Sequence, residues 1–285
     1  MQLTFGVSTW LWTSPFSSEQ AGMLFSKIKE IGFDMVEIAV EDPALINPSI
    51  IKDALKKNDL SVAICGAFGA SRDLSNDDED IQKNGLKYIE DCLNLSQQTG
   101  ASFFAGPMYS AVGKARMVSA EQRKTEWNRS VINLRKACVM AAERGLQLAI
   151  EPLNRFESDM VNTAEDALRL VKEISHPAAK IALDGFHMNI EEPDIEQAIL
   201  TANDKLLHIQ VSENYRGTPG TGQTNWQALR NGLTKINYKG AVSIESFTPE
   251  NKELAGAVCI WKKLAESQDL FAKEGLDYLK NLFNQ

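Results

Sequence analysis

Short apolar runs alternate along the chain with longer segments in which apolar residues recur every three or four positions. The first pattern is typical of buried strands and the second of helices that bury one face. The apolar runs predict eight strands, at 3–8, 35–39, 61–66, 101–106, 147–151, 180–184, 206–211 and 241–245. The helical pattern includes the segments 19–31, 78–99, 121–144, 164–174, 226–235 and 251–283. Strand and helix therefore alternate throughout the chain.

Glycine marks several junctions between a predicted helix and the strand that follows it. Gly32, Gly100 and Gly145 each lie at such a junction, and glycine readily takes the left-handed conformation that ends a helix. Eight strand–helix units without a linker predict one closed parallel (β/α)8 barrel, a TIM barrel, over residues 1–285. The segment 251–285 is expected to pack on this barrel as two helical pieces. The sequence lacks the GxGxxG fingerprint that would favour a doubly wound sheet.

Three of the apolar runs end at a carboxylate, namely Glu151, Asp184 and Glu245. In a barrel of this type the reactive groups stand at the C-terminal ends of the strands. A charge that ends a buried strand is costly unless it is paired or bound to a metal, and three converging carboxylates repel one another. We therefore expect a cation to be bound between them.

The seventh predicted strand contributes two polar side chains, His208 and Gln210, to one face, because alternate residues of a strand point the same way. Gln210 would complete an oxygen-rich ligand set with Glu151, Asp184 and Glu245. Such a set suits Mn²⁺ or Mg²⁺ better than an ion that prefers thiolates. His208 is more typical of a histidine that lies inside the barrel and holds a hydrogen bond.

Charge and cysteine content narrow the class of protein. Thirty basic and thirty-eight acidic residues give a net charge of −8, which repels nucleic acid and anionic membranes. No run approaches the roughly 18 apolar residues of a membrane span, and the first residues lack the features of a signal peptide. The four cysteines lie far apart, so they indicate neither a zinc knuckle nor a disulfide framework. These features favour a cytoplasmic protein that binds a neutral small molecule.

Several segments between residues 127 and 220 resemble one family of barrels, and the overall resemblance covers essentially the whole chain. They are Trp-Asn-Arg-Ser at 127–130, Glu-Pro-Leu-Asn-Arg-Phe-Glu at 151–157, Leu-Asp-Gly-Phe-His-Met-Asn-Ile-Glu-Glu at 183–192, and 212–216 with Pro-Gly at 219–220. The chain is similar to the xylose isomerase-like barrels, and in particular to ketose 3-epimerases of the D-tagatose and D-psicose type. This resemblance implies that Glu151, Asp184 and Glu245 ligate a divalent metal. We expect Mn²⁺, with Mg²⁺, Co²⁺ or Zn²⁺ as alternatives.

The same resemblance implies the reaction and the contacts of the substrate. The enzyme would interconvert C3 epimers of a ketose through a cis-enediolate, with Glu151 and Glu245 exchanging the proton on opposite faces. Glu157, His187 and Arg216 would contact the oxygens of the sugar. A free sugar is favoured, because no dense cluster of Lys and Arg is present to bind a phosphate group. The resemblance also suggests a homodimer or homotetramer.

Aromatic residues near the ends of the early predicted strands are candidates for an apolar wall beside the sugar. They are Trp10, Trp12, Phe68 and Tyr109. Aromatic residues fill barrel cores equally well, so the pattern leaves both roles open.

One position departs from the pattern of the ketose 3-epimerases, which usually have histidine where this chain has Gln210. Glutamine there is similar to the hydroxypyruvate isomerases, as are His208–Gln210 and the Pro-Gly-Thr-Gly at 219–222. The alternative function is therefore an aldose-ketose or hydroxypyruvate-type isomerase that uses the same metal site. An apurinic endonuclease fits less well, because the chain has only three histidines and a net acidic charge. A sugar-binding barrel without catalysis fits least, because both glutamates are present.

Overall fold

The computed structural model describes residues 3–284, in which eight parallel strands close into a barrel in sequential order. Each strand pairs with its neighbours in the chain, and the first pairs with the last. This closed barrel confirms the predicted fold class. The strands are β1 (Thr4–Ser8), β2 (Met35–Val40), β3 (Ser61–Gly66), β4 (Phe103–Gly106), β5 (Gln147–Ile150), β6 (Ala179–Asp184), β7 (Leu206–Val211) and β8 (Ala241–Ile244).

Helices connect the strands and surround the barrel. They are α1 (Ser18–Ile31), α2 (Pro48–Asn58), α3 (Glu79–Thr99), α4 (Ala120–Glu143), α5 (Ala164–Ile174), α6 (Gly185–Glu191), α7 (Ile195–Ala202), α8 (Trp226–Lys235), α9 (Lys252–Ala257) and α10 (Gln268–Phe283). The segment after β8 forms two helices, as the sequence predicts. Every helix within residues 3–284 is too short or too polar to cross a membrane.

The observed ends of β5 and β8 differ from the predicted ones, and the difference concerns two candidate site residues. Both strands end one residue before the carboxylate with which the prediction closed them, Glu151 and Glu245. Their backbone N–H groups still donate to the neighbouring strands, to Gly106 at 3.2 Å and to Val211 at 3.0 Å. Each glutamate thus leaves the sheet at the rim of the barrel while its backbone stays anchored.

The predicted glycine junctions take the expected conformation. Gly32, Gly100 and Gly145 have φ angles of 108°, 88° and 70°, a region that a side chain would disfavour. Two of them directly end α1 and α3. These turns let each helix return to the N-terminal end of the next strand.

The core has an outer and an inner part. The outer part lies between the strands and the surrounding helices and is apolar. Inside the barrel, β3 to β6 contribute mainly small side chains, Ala63, Ala105, Ala149 and Ala182. Because these side chains are small, the polar side chains of the other strands fit beside them towards the C-terminal ends of the strands.

Candidate active site

The C-terminal rim of the barrel brings together the three carboxylates that the sequence singled out. Glu151, Asp184 and Glu245 follow or end β5, β6 and β8, and their exposed fractions are 4%, 1% and 4%. The polar atoms of Glu151, Asp184 and His187 lie within 4.8 Å of one another. Parallel strands that close into a barrel place these ends at one mouth, so residues far apart in sequence become neighbours.

Arg216 contributes the positive charge nearest to these carboxylates. Its Nη1 donates to Asp184 Oδ2 at 2.5 Å and to Glu245 Oε2 at 3.0 Å. The guanidinium also lies over the ring of Phe186, 4.1 Å from the centroid, an arrangement that favours a cation. Arg216 thereby compensates part of the buried negative charge.

The carboxylates differ in how readily they hold a proton. Burial raises the pKa of Glu151, and the charges of Glu245 and Asp184 raise it further. Burial likewise raises the pKa of Glu245, although Arg216 opposes it. Burial opposes ionisation of Asp184 too, but the charge of Arg216 outweighs it, so this pKa is lowered. Burial and neighbouring charges therefore move these pKa values apart, upwards for Glu151 and Glu245 and downwards for Asp184.

His187 lies on α6, one turn after Asp184, and is fully enclosed at 3% exposure. The backbone N–H of Asn154 donates to its Nδ1 at 3.1 Å. With Nδ1 accepting, the neutral ring carries its proton on Nε2, which lies 3.6 Å from Glu151 Oε1. Burial lowers the pKa of His187. The Nε2 side of the ring also faces Arg216 Nη2 at 3.3 Å, so the imidazole lies between Asn154 on one side and Glu151 and Arg216 on the other.

Glu157 is partly buried in the loop after β5. Its Oε1 accepts a hydrogen bond from Asn154 Nδ2 at 2.8 Å. Asn154 therefore links Glu157 to His187, two of the residues predicted to contact the sugar. The sequence analysis assigned Asn154 no role, although it lies inside the 151–157 motif.

Gln210 and His208 both point into the barrel, and both contact Glu37 of β2. His208 Nε2 pairs with Glu37 Oε2, while Gln210 Nε2 donates to Glu37 Oε1 at 2.8 Å and to Glu245 Oε1 at 2.8 Å. All three side chains are fully buried. Gln210 Oε1 has no hydrogen-bond partner among the described residues. The sequence analysis missed Glu37, whose signal was a lone acid within the apolar run 35–39.

Three of the four aromatic residues proposed as a wall lie in different surroundings. Phe68 and Tyr109 are 1% and 0% exposed; Phe68 packs edge-on against Tyr88, and the Tyr109 hydroxyl donates to the backbone oxygen of Val161. Trp12 is partly exposed, and its indole N–H donates to Asp269 at the start of α10. All three have contacts that account for their positions in the fold.

Trp10, the fourth candidate for the wall, belongs to a set of apolar side chains beside Arg216. Trp10 packs against Phe247 with ring centroids 5.5 Å apart, and Phe247 lies 5.1 Å from the Arg216 guanidinium. Trp10, Phe247 and Cys65 belong to one small apolar cluster. The sequence analysis named only Trp10 from this cluster, because the other members come from loops and strands far apart in sequence.

Comparison with known proteins matches this chain over nearly its full length. A family model described as the xylose isomerase-like TIM barrel matches residues 25–282. A probable ketose 3-epimerase from Synechocystis sp. is 32% identical over 99% of this chain and 97% of its own length. The 3-dehydro-D-guloside 4-epimerase of Escherichia coli is 33% identical over 78% of this chain and 85% of its own length.

Solved structures agree with these matches. The crystal structure of D-allulose 3-epimerase from Methylomonas sp. in complex with D-allulose has a TM-score of 0.92 to this chain at 28% identity, and it covers 98% of this chain and 97% of that one. These relatives are all sugar epimerases, which confirms the predicted enzyme class. The resemblance inferred from the short segments is confirmed as well, and the chain belongs to the xylose isomerase-like TIM barrel family.

Proposed function

We propose that this chain is a metal-dependent ketose 3-epimerase that interconverts C3 epimers of a free ketose, with Glu151 and Glu245 as the acid/base pair. One observation carries the proposal: two buried glutamates from β5 and β8 share one mouth of the barrel with Asp184, His187 and Arg216. The ketose 3-epimerases among the relatives support the choice of reaction.

The donor set fits a divalent cation. Glu151, Asp184 and Glu245 supply carboxylate oxygens, and Gln210 Oε1 is a buried oxygen without a partner within residues 3–284. Hard cations prefer oxygen ligands of this kind, and we propose Mn²⁺, with Mg²⁺, Co²⁺ or Zn²⁺ as alternatives. When bound, the cation acts as a Lewis acid that stabilises negative charge developing on the substrate oxygens.

The two glutamates move the proton. One removes the proton from C3 of the ketose, and the other returns a proton to C3 from the opposite face, which inverts the configuration. Each group must therefore accept a proton in one direction and donate it in the other. Burial of the site excludes water that would otherwise compete for the proton.

The remaining residues bind and orient the sugar. His187 donates from Nε2 to a hydroxyl or carbonyl oxygen, because Asn154 holds its Nδ1 as an acceptor. Arg216 and Glu157 contact further oxygens of the substrate, Arg216 as a donor and Glu157 as an acceptor. Of the proposed aromatic wall, Trp12 is the member with an exposed surface. Trp10, another member, packs against Phe247, which we add to the wall.

Isotope exchange tests the acid/base assignment. In deuterated water the wild-type enzyme is expected to incorporate deuterium at C3 of the ketose, and Glu151→Gln or Glu245→Gln to reduce turnover about 10²–10⁴-fold. A variant that keeps only one glutamate should still exchange deuterium slowly while forming no epimer. Undiminished exchange and epimerisation in both variants would refute the assignment.

The alternative is an aldose-ketose or hydroxypyruvate-type isomerase, and Gln210 favours it, because ketose 3-epimerases usually have histidine at this position. The E. coli relative, a 4-epimerase of 3-dehydro-D-gulosides, also shows that epimerisation in this family extends beyond C3 of ketoses. Incubation of the Mn²⁺-loaded enzyme with ketoses, aldoses, hydroxypyruvate and keto-glycosides, followed by NMR of the products, separates these reactions. Conversion between aldehyde and ketone instead of between C3 epimers would overturn the proposal.

We infer a homodimer or homotetramer from the resemblance to the family, and light scattering after gel filtration measures it. A cytoplasmic location is supported by the four cysteines, which are all free thiols and of which three are buried.

A further inference from the structure

We propose that Glu37 is a positioning residue that decides which atom of Gln210 ligates the metal. Its carboxylate holds the amide NH₂ of Gln210, so that the amide oxygen is left as the ligand atom. This inference rests on the metal site proposed above.

The contacts of Gln210 Nε2 define which way the side-chain amide is turned. Its two hydrogens go to two carboxylate oxygens, Glu37 Oε1 and Glu245 Oε1, each at 2.8 Å. Turning the amide by half a rotation would place Oε1 against both carboxylates, where negative charges would face it and two charge-assisted hydrogen bonds would be lost. The observed orientation is therefore the only one that these neighbours accept.

Glu37 is itself held from the opposite side. It lies on β2 inside the barrel with no exposed surface, and its second oxygen pairs with His208 Nε2. His208 lies two residues before Gln210 on β7, so the same strand carries both the ligand and the group that orients its partner. Metal ligands are commonly held from behind by a carboxylate in this way.

A second cation is the competing explanation for a buried acid here. The ligand atoms of Glu37, Cys65 and Glu245 converge within 4.8 Å of one another. Gln210 Nε2, however, contacts all three, with Cys65 Sγ at 3.8 Å. The NH₂ group of Gln210 thus lies between Glu37, Cys65 and Glu245, so these three side chains do not need an additional ion between them.

Mn²⁺ titration by calorimetry tests the inference. Glu37→Met removes the acceptor and is expected to weaken Mn²⁺ binding about 10–100-fold. Glu37→Gln keeps an acceptor oxygen for Gln210 and is expected to stay within about threefold of the wild type. Glu126→Gln, which changes another buried carboxylate, on α4, serves as the matched control and should bind Mn²⁺ like the wild type.

A double-mutant cycle separates positioning from a general structural effect. If Glu37 acts through Gln210, the double variant Glu37→Met/Gln210→Met should bind Mn²⁺ as weakly as Gln210→Met alone. Additive losses, or a Glu37→Met protein with wild-type affinity, would overturn the inference. A wild-type enzyme that binds no Mn²⁺ would instead reject the proposed metal site itself.

Side-chain NMR gives a second measurement that needs no folded Glu37→Met protein. Mg²⁺ titrated into ¹⁵N-glutamine-labelled wild type is expected to leave the Gln210 NH₂ signals protected from solvent exchange, with the signals identified from a Gln210→Met spectrum. Loss of that protection on adding Mg²⁺ would contradict the inference, because the NH₂ group would then have left Glu37.

Discussion

Glu151, Asp184 and Glu245 carry the same functional group at the same mouth of the barrel, yet their pKa values move in different directions. The pKa of Asp184 is lowered because the charge of Arg216, which donates to it at 2.5 Å, outweighs the effect of burial. Glu151 and Glu245 are governed by burial and by the charges around them. The balance between burial and the charge of Arg216 therefore differs from one carboxyl group to the next.

Replacing Arg216 by methionine tests this compensation. The variant is measured in a buffer with a metal chelator, so that no cation is bound. Arg216→Met then leaves three buried carboxylates without their nearest positive charge, and we expect the free energy of unfolding to fall by about 3–5 kcal/mol. Urea denaturation measures the change. Lys83→Met is the control, because Lys83 pairs with Asp80 on the surface of α3 through side chains that are 68% and 89% exposed, and it should cost no more than about 1 kcal/mol.

Equal stability of the two variants would show that Arg216 does not neutralise the site. Saturating Mn²⁺ should reduce the deficit of Arg216→Met, since the cation takes over part of the compensation. Stability that does not respond to Mn²⁺ would contradict this second expectation.

The loop between β7 and α8 places Arg216 in the site, and Glu213 organises this loop. The buried carboxylate of Glu213 accepts from the backbone N–H groups of Gly220 and Thr224 at 2.8 and 3.1 Å and from the indole of Trp226 at 2.7 Å. Arg216 itself adopts a φ of 62°, which is uncommon for a residue with a side chain. The loop therefore needs these tertiary contacts to hold Arg216 in its conformation.

Glu213→Gln is expected to disorder this loop. The amide nitrogen would face donors, so the variant should lose about 2–3 kcal/mol of stability, and its KM for the ketose should rise while kcat falls. Urea denaturation and steady-state kinetics measure the two effects. Unchanged kinetics in a protein destabilised by this amount would show that the loop does not position Arg216.

The stability difference between the wild type and Glu213→Gln is expected to depend on pH. Burial opposes ionisation of Glu213, but hydrogen bonds from Trp226 and Thr224 outweigh it and lower its pKa. A lowered pKa stabilises the fold above the pKa of the unfolded chain, about 4.3 for glutamate, and this contribution is lost as the pH falls below it. The stability difference between wild type and Glu213→Gln should therefore be largest above pH 5 and shrink towards pH 3. A difference that grows on acidification would contradict the assignment.

The barrel as a whole gathers the site from four strands, so metal binding and global folding are expected to be coupled. A ligand that binds only the folded state stabilises it by about 2.7 kcal/mol at 100 times its Kd. Added Mn²⁺ should therefore raise the thermal unfolding midpoint of the wild type. Asp184→Asn should abolish this shift, whereas Asp204→Asn, at an exposed position before β7, should keep it. A Mn²⁺-independent midpoint in the wild type would contradict the proposed site.

The sequence alone determined the class of fold and most of the strand-end acids, for two physical reasons. Alternation of strands and helices follows from local periodicity, and an acid that ends an apolar run is visible without knowing its neighbours. Glu151, Asp184 and Glu245 were all found in this way. The resemblance to the family then added His187 and Arg216, whose roles were inferred from the motifs that contain them and not from a pattern of buried residues.

The tertiary structure decided the partners of these groups, which periodicity cannot reveal. Glu37 and Gln210 are 173 positions apart and meet only because β2 and β7 face each other inside the closed barrel. Likewise, Phe68 and Tyr109 were candidates for the wall by position along the chain, and only packing showed that their side chains are enclosed. Local sequence specifies which segments form strands and helices, whereas charge compensation and ligand orientation arise from distant side chains that folding brings into contact.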